Sequence, residues 1–343
     1  MAIVLDPKEF LEMGKTLPMV DVRTPAEFEN GHIPGAHNLP IFTNDERVVV
    51  GTKYKRAGKD SAVLLGLEIV GPKLALFVKK AKKIAPDKKI LVHCWRGGMR
   101  SGSMAWLFET AGFTVYLLKG GYKAYRACNR EEFARKAKII ILGGMTGSGK
   151  TEVLHEMIKM GHQVLDLEGV ANHKGSVFGA LGQPNQPTNE NFENELAQLW
   201  SKFDFNKCIW IEDESNSVGG VWINDVLFSQ MRNADVIKME IPKEERIKRL
   251  VKEYACFEID VLKGLISKIE KRLGGLNVKN AFQSLDEGDF YTVADISLTY
   301  YDKAYLHGQQ KRKDQTVYPL ALEKDEPKEN AKSILEFYSQ LQK

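Results

Sequence analysis

The sequence predicts an α/β protein built from two parallel-sheet domains. Three observations carry the prediction. Apolar β-branched runs alternate with amphipathic helical stretches, the pattern of sheets covered by helices. Two of those runs, "KKILVHC" and "KIIILGG", open directly into glycine-rich loops followed by a helix. The chain has 343 residues, enough for two domains of ordinary size.

Taken in order, "LPMVDVR" and "GHIPGAHNLP" are short apolar segments broken by Gly and Pro, and they read as strands and turns. "GPKLALFVKKAKKIAP" reads as an amphipathic helix with Leu74, Phe77, Val78 and Ala81 on one face. "KKILVHC" suits a buried parallel strand. "SGSMAWLFETAGF" follows as a helix ended by Gly112, then "TVYLLKGGYKAY" as a strand and turn. "CNREEFARKA" joins the halves, which places a first domain at 1–128, a linker at 129–137 and a second domain at 138–343. The second domain opens with strand, glycine loop and helix in "KIIILGGMTGSGKTEVLHEMIKMG". "KCIWIEDES" and "ADVIKMEIP" read as further buried strands, "KEERIKRLVKEYA" and "IDVLKGLISKIEKRLGG" as charged amphipathic helices.

Composition narrows the class. The chain is 43% hydrophobic and 27% charged, as in ordinary globular domains. No run of 18 apolar residues is seen, so no membrane span is expected, and the N-terminus does not read as a signal peptide. The four cysteines, Cys94, Cys128, Cys208 and Cys256, form no CxxC pair and fit neither a disulfide framework nor a zinc site. A reducing cytoplasm is the expected compartment. The net charge of +4 does not by itself indicate nucleic acid. Between Lys119 and Lys138, however, lie Lys123, Arg126, Arg130, Arg135 and Lys136, interleaved with Tyr122, Tyr125 and Phe133. A solvated helix face is the first reading of that stretch and a polyanion-binding surface the second.

The loop "HCWRGGMRS" carries the first candidate chemistry. Backbone N–H groups at a glycine turn before a helix converge on an anion, and a cysteine at the start of such a loop has its pKa lowered. Cys94 is the candidate nucleophile. Trp95, Arg96, Gly97, Gly98, Met99 and Arg100 form the candidate anion loop, with Arg96 and Arg100 offering charge-assisted bonds. These residues leave three readings open: a sulfur or selenium carrier, a phosphatase nucleophile, or an inert core cysteine. His93 is expected to pack in the sheet.

The stretches "MVDVRTPAEFENGHIPGAHNLP", "LVHCWRGGMRS" and "LKGGYKAY" together resemble the rhodanese superfamily. The resemblance implies a rhodanese-like domain whose Cys94 carries sulfur or selenium. Asp21, Arg23 and Glu27 match its first motif and are expected to be structural. The C-x5-R spacing from Cys94 to Arg100 is one residue longer than small sulfurtransferases usually have. It resembles the rhodanese-like phosphatases, so the donor at Cys94 is expected to bear phosphate.

"GGMTGSGKT" contains a Walker A pattern between a strand and a helix, the context that motif requires. Gly144, Met145, Thr146, Gly147, Ser148, Gly149, Lys150 and Thr151 are the candidate diphosphate cradle, with Lys150 on the terminal phosphoryl oxygens. Thr151 would sit by a Mg2+ ion, if one binds at this loop. Asp213 and, next, Glu212 are the candidate Walker B acids, beside Glu214. Arg246 and Arg249 read first as a solvated helix face and second as phosphate-facing lid arginines. "EGVANHKGSVFG" reads equally as a structural loop or as the lining of an acceptor pocket.

Both halves in this order resemble the tRNA 2-selenouridine synthases, on "HCWRGGMRS", "GGMTGSGKT", "EGVANHKGSVFG" and "WIEDES". That resemblance implies a P-loop NTPase-like three-layer domain after the rhodanese-like one. It implies conversion of wobble 2-thiouridine in tRNA to 2-selenouridine with selenophosphate, through S-geranyl-2-thiouridine made from geranyl diphosphate. No tightly bound cofactor, membrane or obligate protein partner is expected. The alternative is a rhodanese-type sulfurtransferase or phosphatase coupled to a nucleotide-binding P-loop domain.

Overall fold

The computed structural model describes residues 2–310 and 315–342. The chain divides into two compact units, one of Met1–Glu132 with Thr188–Gln198, the other of Phe133–Pro187 with Leu199–Lys343.

Unit 1 contains β1 (Ile3–Leu5), α1 (Pro7–Met13), β2 (Met19–Asp21), α2 (Pro25–Asn30), β3 (His37–Asn38), α3 (Asn44–Val70), α4 (Leu74–Ile84), β4 (Lys89–His93), α5 (Met99–Thr110), β5 (Thr114–Leu118) and α6 (Gly121–Phe133), whose last residue falls in unit 2. Its five strands form a wholly parallel sheet in the order β1-β5-β4-β2-β3, with β4 at the centre. Successive residues of β4 supply opposite faces, as a strand period of two requires. Ile90, Val92 and Cys94 join Val20, Phe77 and Phe108 in one core, whereas Leu91 joins Phe10, Met19 and Tyr122 in the other. Burial on both sides explains why the strand reads as one continuous apolar run. α2 and α3 both start with a capping box, Thr24 with Glu27 and Thr43 with Glu46.

Two features depart from the sequence reading. α3 was not anticipated, because its half-exposed apolar residues give no clear helical face. Together with α4 it forms one stretch, Asn44–Ile84, long and apolar enough by length and composition to cross a membrane. A 3-10 turn at Gly71–Lys73 interrupts that stretch, and Phe77 and Ala81 of α4 are buried in the core. The expected linker at 129–137 is helical over its first five residues, since α6 continues to Phe133, which is fully buried.

The remaining elements are β6 (Lys138–Gly144), α7 (Lys150–Lys159), β7 (Gln163–Leu165), α8 (Leu167–Ala171), α9 (Asn189–Trp200), β8 (Cys208–Glu212), the hairpin β9 (Ser217–Val218) and β10 (Val221–Trp222), α10 (Asp225–Arg232), β11 (Asp235–Glu240), α11 (Lys243–Tyr254), α12 (Ile259–Lys268), α13 (Glu270–Leu273), α14 (Gly275–Asp286), α15 (Phe290–Gln310), β12 (Val317–Ala321) and α16 (Pro327–Leu341). In unit 2 a second parallel sheet has the order β12-β11-β6-β8-β7, again with the strand before the glycine loop at its centre. Leu142, Leu154, Trp210 and Ile237 lie in its core. A separate helical cluster packs Leu262, Ile266, Val278 and Leu285. Most of α9 belongs instead to unit 1, where Arg126 pairs with Glu193 at 2.6 Å and Asn194 Nδ2 donates to Tyr122 Oη at 2.7 Å.

Candidate functional sites

In unit 1, Cys94 follows the central strand and begins the loop that leads to α5. Its sulfur lies 3.2 Å from Ser101 Oγ, whose single proton can go to the sulfur or to the Gly98 carbonyl 3.1 Å away. Burial opposes ionisation of the thiol, but the Ser101 hydroxyl and the backbone N–H groups of Arg96, Ser101 and Gly98 outweigh it and hold the pKa below the ordinary value. Cys94 thus belongs to the buried core and at the same time has loop N–H groups and the Ser101 hydroxyl that favour negative charge on its sulfur.

The loop is closed from behind by the start of α6. Tyr122 and Lys123 donate their backbone N–H groups to the Cys94 and Trp95 carbonyls at 2.9 and 3.0 Å. Gly121 permits this approach: its φ is +63°, and a Cβ there would collide with the Cys94 carbonyl. This gives the "KGGY" motif a physical role in holding the nucleophile loop.

Trp95, Arg96, Gly97, Gly98 and Met99 are exposed, as an anion loop requires. Arg100 is placed differently from expectation, because its guanidinium is engaged by both Glu27 carboxylate oxygens at 2.6 and 3.2 Å. Burial opposes ionisation of Glu27 as well, yet Arg100 holds it ionised below its usual range. An oxyanion at the loop would have to compete with Glu27 for Arg100. Asp21 and Arg23 form a buried pair at 2.6 Å, with Arg23 3.8 Å over the Tyr122 ring. Both side chains are buried and engaged with each other and with the core. His93 is fully buried between Phe10 and Tyr122, and burial lowers its pKa.

The basic stretch does not present interleaved aromatics to a partner. Tyr122, Tyr125 and Phe133 are core residues, and Arg126 is paired with Glu193. The exposed cations of the stretch are Lys119, Lys123 and Arg130 in unit 1, and Arg135, Lys136 and Lys138 in unit 2.

In unit 2, residues Gly144 to Thr151 wrap from the end of β6 into α7. Gly149 has φ +75° beside the Arg249 guanidinium, so the loop turns where a side chain would be strained. Lys150 Nζ folds back on the Gly144 carbonyl at 3.1 Å, and Thr151 Oγ1 donates to Glu168 Oε2 at 2.6 Å. The loop borders a cleft of about 980 Å3, which also takes in Glu168, Lys174, Gly175, Ser176, Asp213 and Glu214. The "HKGS" segment thus lines the cleft, with the exception of half-buried His173, which packs beside Gly179 and Gly219.

The Walker B assignment divides. Asp213 faces the cleft, accepts from Tyr305 Oη at 3.3 Å and pairs with Arg232 at 3.5 Å. Glu212 does not reach the cleft: it is wholly buried, and its Oε2 accepts from the Leu167 N–H at 3.0 Å. The next carboxylate, Glu214, lines the cleft instead, and burial followed by the neighbouring Glu168 pushes it up to about 8. The strand ends at Glu212, and the two acids that follow it, Asp213 and Glu214, both line the cleft. Arg246 and Arg249 are not a solvated face either. Arg246 is buried on Asp302 and donates to the Thr146 carbonyl at 3.2 Å, while Arg249 pairs with Asp325 at 2.7 Å. The partnerships of Glu168, Arg232 and Tyr305 with the loop and its acids were missed, because each joins segments far apart in the chain. The position of Glu168 just after β7 was its only local signal.

A thiol nest on one parallel sheet and a phosphate-type loop on another define a rhodanese-like domain joined to a P-loop domain. Two family models match accordingly, a rhodanese-like domain over residues 6–128 and a tRNA 2-selenouridine synthase AAA domain over residues 137–326. The tRNA 2-selenouridine synthase of Nitrosomonas europaea is 32% identical over 86% of this chain and 90% of its own. That of a Sulfurovum species is 36% identical over 84% and 87%. Among solved structures, a rhodanese-related protein from Thermoplasma volcanium matches 36% of this chain and 91% of its own at 20% identity and a TM-score of 0.24. The chain belongs to the tRNA 2-selenouridine synthase family.

Proposed function

We propose that this protein replaces the sulfur of a 2-thiouridine in tRNA with selenium, in two stages served by the two sites. Support comes from family membership across both domains together with the single observation that carries the chemistry, a buried thiol whose pKa is lowered by Ser101 and three backbone N–H groups.

In the first stage the P-loop holds geranyl diphosphate. The thiocarbonyl sulfur attacks the allylic carbon, the carbon–oxygen bond breaks, pyrophosphate leaves and the uridine loses its N3 proton. Lys150 neutralises charge on the departing pyrophosphate, the main service such a loop offers. Mg2+, with oxygen ligands from Thr151 and Glu168, would complete its shell from phosphate oxygens. Among the described residues no three acidic, histidine or cysteine side chains form a cage without them. In the second stage the Cys94 thiolate attacks the phosphorus of selenophosphate, the phosphorus–selenium bond breaks, the released hydrogen selenide adds to C2 with its proton passing to N3, and water returns the S-phosphocysteine to thiol and phosphate. The bond to the geranylthio group breaks as the carbon–selenium bond forms, and that group leaves more readily than a bare thiocarbonyl sulfur. The exposed cations along α6 and after it are the proposed contacts for the tRNA backbone, read through charge alone.

The reading is tested by mass spectrometry of tRNA nucleosides after incubation with selenophosphate and geranyl diphosphate. Cys94→Ala is expected to abolish selenium incorporation while S-geranyl-2-thiouridine still forms. Lys150→Ala is expected to lower geranylation by about 100–1,000-fold. Undiminished geranylation in Lys150→Ala would remove the P-loop from the prenyl step.

A further inference from the structure

Unit 1 contains an open pocket of about 710 Å3 that the thiol chemistry described above leaves unused. It is built around α3, which is broken at Gly58, where φ is +80° and ψ −179°, a conformation open essentially to glycine alone. Both halves of the helix border the pocket, with Val48 and Tyr54 before the break and Ala62 and Leu67 after it. Its buried side is formed by Ile41, Phe42 and Val70, which belong to the same core cluster as Cys94. Met99 and Arg100 also line it, and they begin α5 directly after the Cys94 loop.

The lining sets the chemistry of the occupant. Val48, Tyr54, Leu67 and Met99 are each more than half exposed, and apolar side chains grouped in water mark a surface that binds something. Arg47, Lys55 and Lys59 border the same pocket and are exposed. A nucleotide base or a free phosphate seated inside would bury polar atoms against walls that offer them few partners. The fitting molecule is hydrocarbon within the pocket and anionic where it emerges.

The second stage proposed above presents such a molecule. S-geranyl-2-thiouridine carries its ten-carbon chain on the sulfur bonded to C2, the carbon that selenium attacks, and it sits in an RNA strand. During the exchange the chain therefore lies within its own length of the selenium source, and this pocket adjoins the loop that supplies the selenium. A cavity of about 150 Å3 holds benzene, so ten carbons need on the order of 250 Å3, well within the space available.

We propose that this pocket seats the geranyl group of S-geranylated tRNA during selenium exchange, with Arg47, Lys55 and Lys59 on the flanking phosphates. The inference rests on the two-stage reading given above, and it concerns the modified acceptor at the thiol site.

The test uses the full chain, selenophosphate and two anticodon stem-loop RNAs, one with S-geranyl-2-thiouridine and one with S-methyl-2-thiouridine. Formation of 2-selenouridine is followed by mass spectrometry. Wild-type protein is expected to favour the geranyl substrate in kcat/KM. Ala62→Phe, which fills the pocket, and Leu67→Asp, at an exposed position on its wall, are expected to lower that preference by about 10–100-fold. Turnover of the S-methyl RNA and alkylation of Cys94 by iodoacetamide are expected to stay unchanged in both, which shows that the thiol loop remains folded. Lys55→Glu combined with Lys59→Glu is expected to raise KM for both RNAs alike and to flatten the salt dependence of binding.

Selenation of both RNAs without a geranyl preference, or with the same preference in wild type and both pocket variants, would overturn the pocket assignment and leave the two-stage reading standing. The assignment would also fall if Leu67→Asp abolished a dimer seen in sedimentation, or flotation with anionic phospholipid vesicles, while the geranyl preference persisted. Selenation of neither RNA by wild-type protein would overturn the two-stage reading and the pocket with it.

Discussion

At the scale of the residue, the reactive thiol is shaped by a few short bonds. Ser101 is the side chain that most favours the Cys94 thiolate, acting over 3.2 Å against the cost of burial. Removing it should raise the thiol pKa and shift the pH dependence of reactivity upward. The expected outcome for Ser101→Ala is an alkylation rate with iodoacetamide that rises at higher pH than in wild type. An unchanged profile would mean that the backbone N–H groups suffice. The loop residues Cys94 to Met99 and Gly144 to Thr151 could be located in the sequence because each set is contiguous, and glycine spacing reports backbone shape directly. Arg100 shows where that local reading ends. Its type and spacing suggested an anion ligand, but the capping glutamate of α2 lies 73 residues away and takes its guanidinium.

At the scale of the element, both sites sit at the end of the central strand of a parallel sheet, where loop and helix start meet. The end of β8 separates the acids there, because Glu212 is its last residue and Asp213 and Glu214 follow on the cleft side. Glu212 points into the protein beneath Leu167, and burial, then Asp166 and Glu168, raise its pKa well above the usual carboxylate range. The native state thus keeps a proton that the unfolded chain releases above about pH 4.5. This group's contribution is full below that pH and is lost as the pH rises toward its folded pKa. Glu212→Gln removes that loss. It is expected to raise the melting temperature of unit 2 at pH 7.5 by about 2–4 °C, for about 1 kcal/mol relieved. At pH 4.5 calorimetry should show little difference between the two proteins. Elements with strong period or apolar runs, such as α4, β4, β6 and β8, were legible in the sequence. α3 was not, because its exposed apolar residues blur the helical face. α9, β12 and α16 also went unread.

At the scale of the whole molecule, the chain is not cut once between its two halves. Residues 188–198 return to unit 1, and Asn194 there is fully buried, donating to the His32 carbonyl at 2.8 Å and to Tyr122. Asn194→Ala leaves those acceptors unpaired. It is expected to destabilise unit 1 by about 1–3 kcal/mol in the full chain. A fragment ending at Glu132 lacks the segment and should already show that lower stability. Urea unfolding of the variant and the fragment checks both, and equal stability of fragment and full-chain unit 1 would refute the role of the segment. By itself the sequence determined the two parallel-sheet domains, the thiol loop and the phosphate-type loop, since all of these are written in contiguous residues through period and glycine placement. Only the tertiary structure decided which acids face the cleft, what Arg100, Arg246 and Arg249 bind, and where residues 188–198 belong. Those outcomes depend on pairings between residues distant in the chain, which local pattern does not encode.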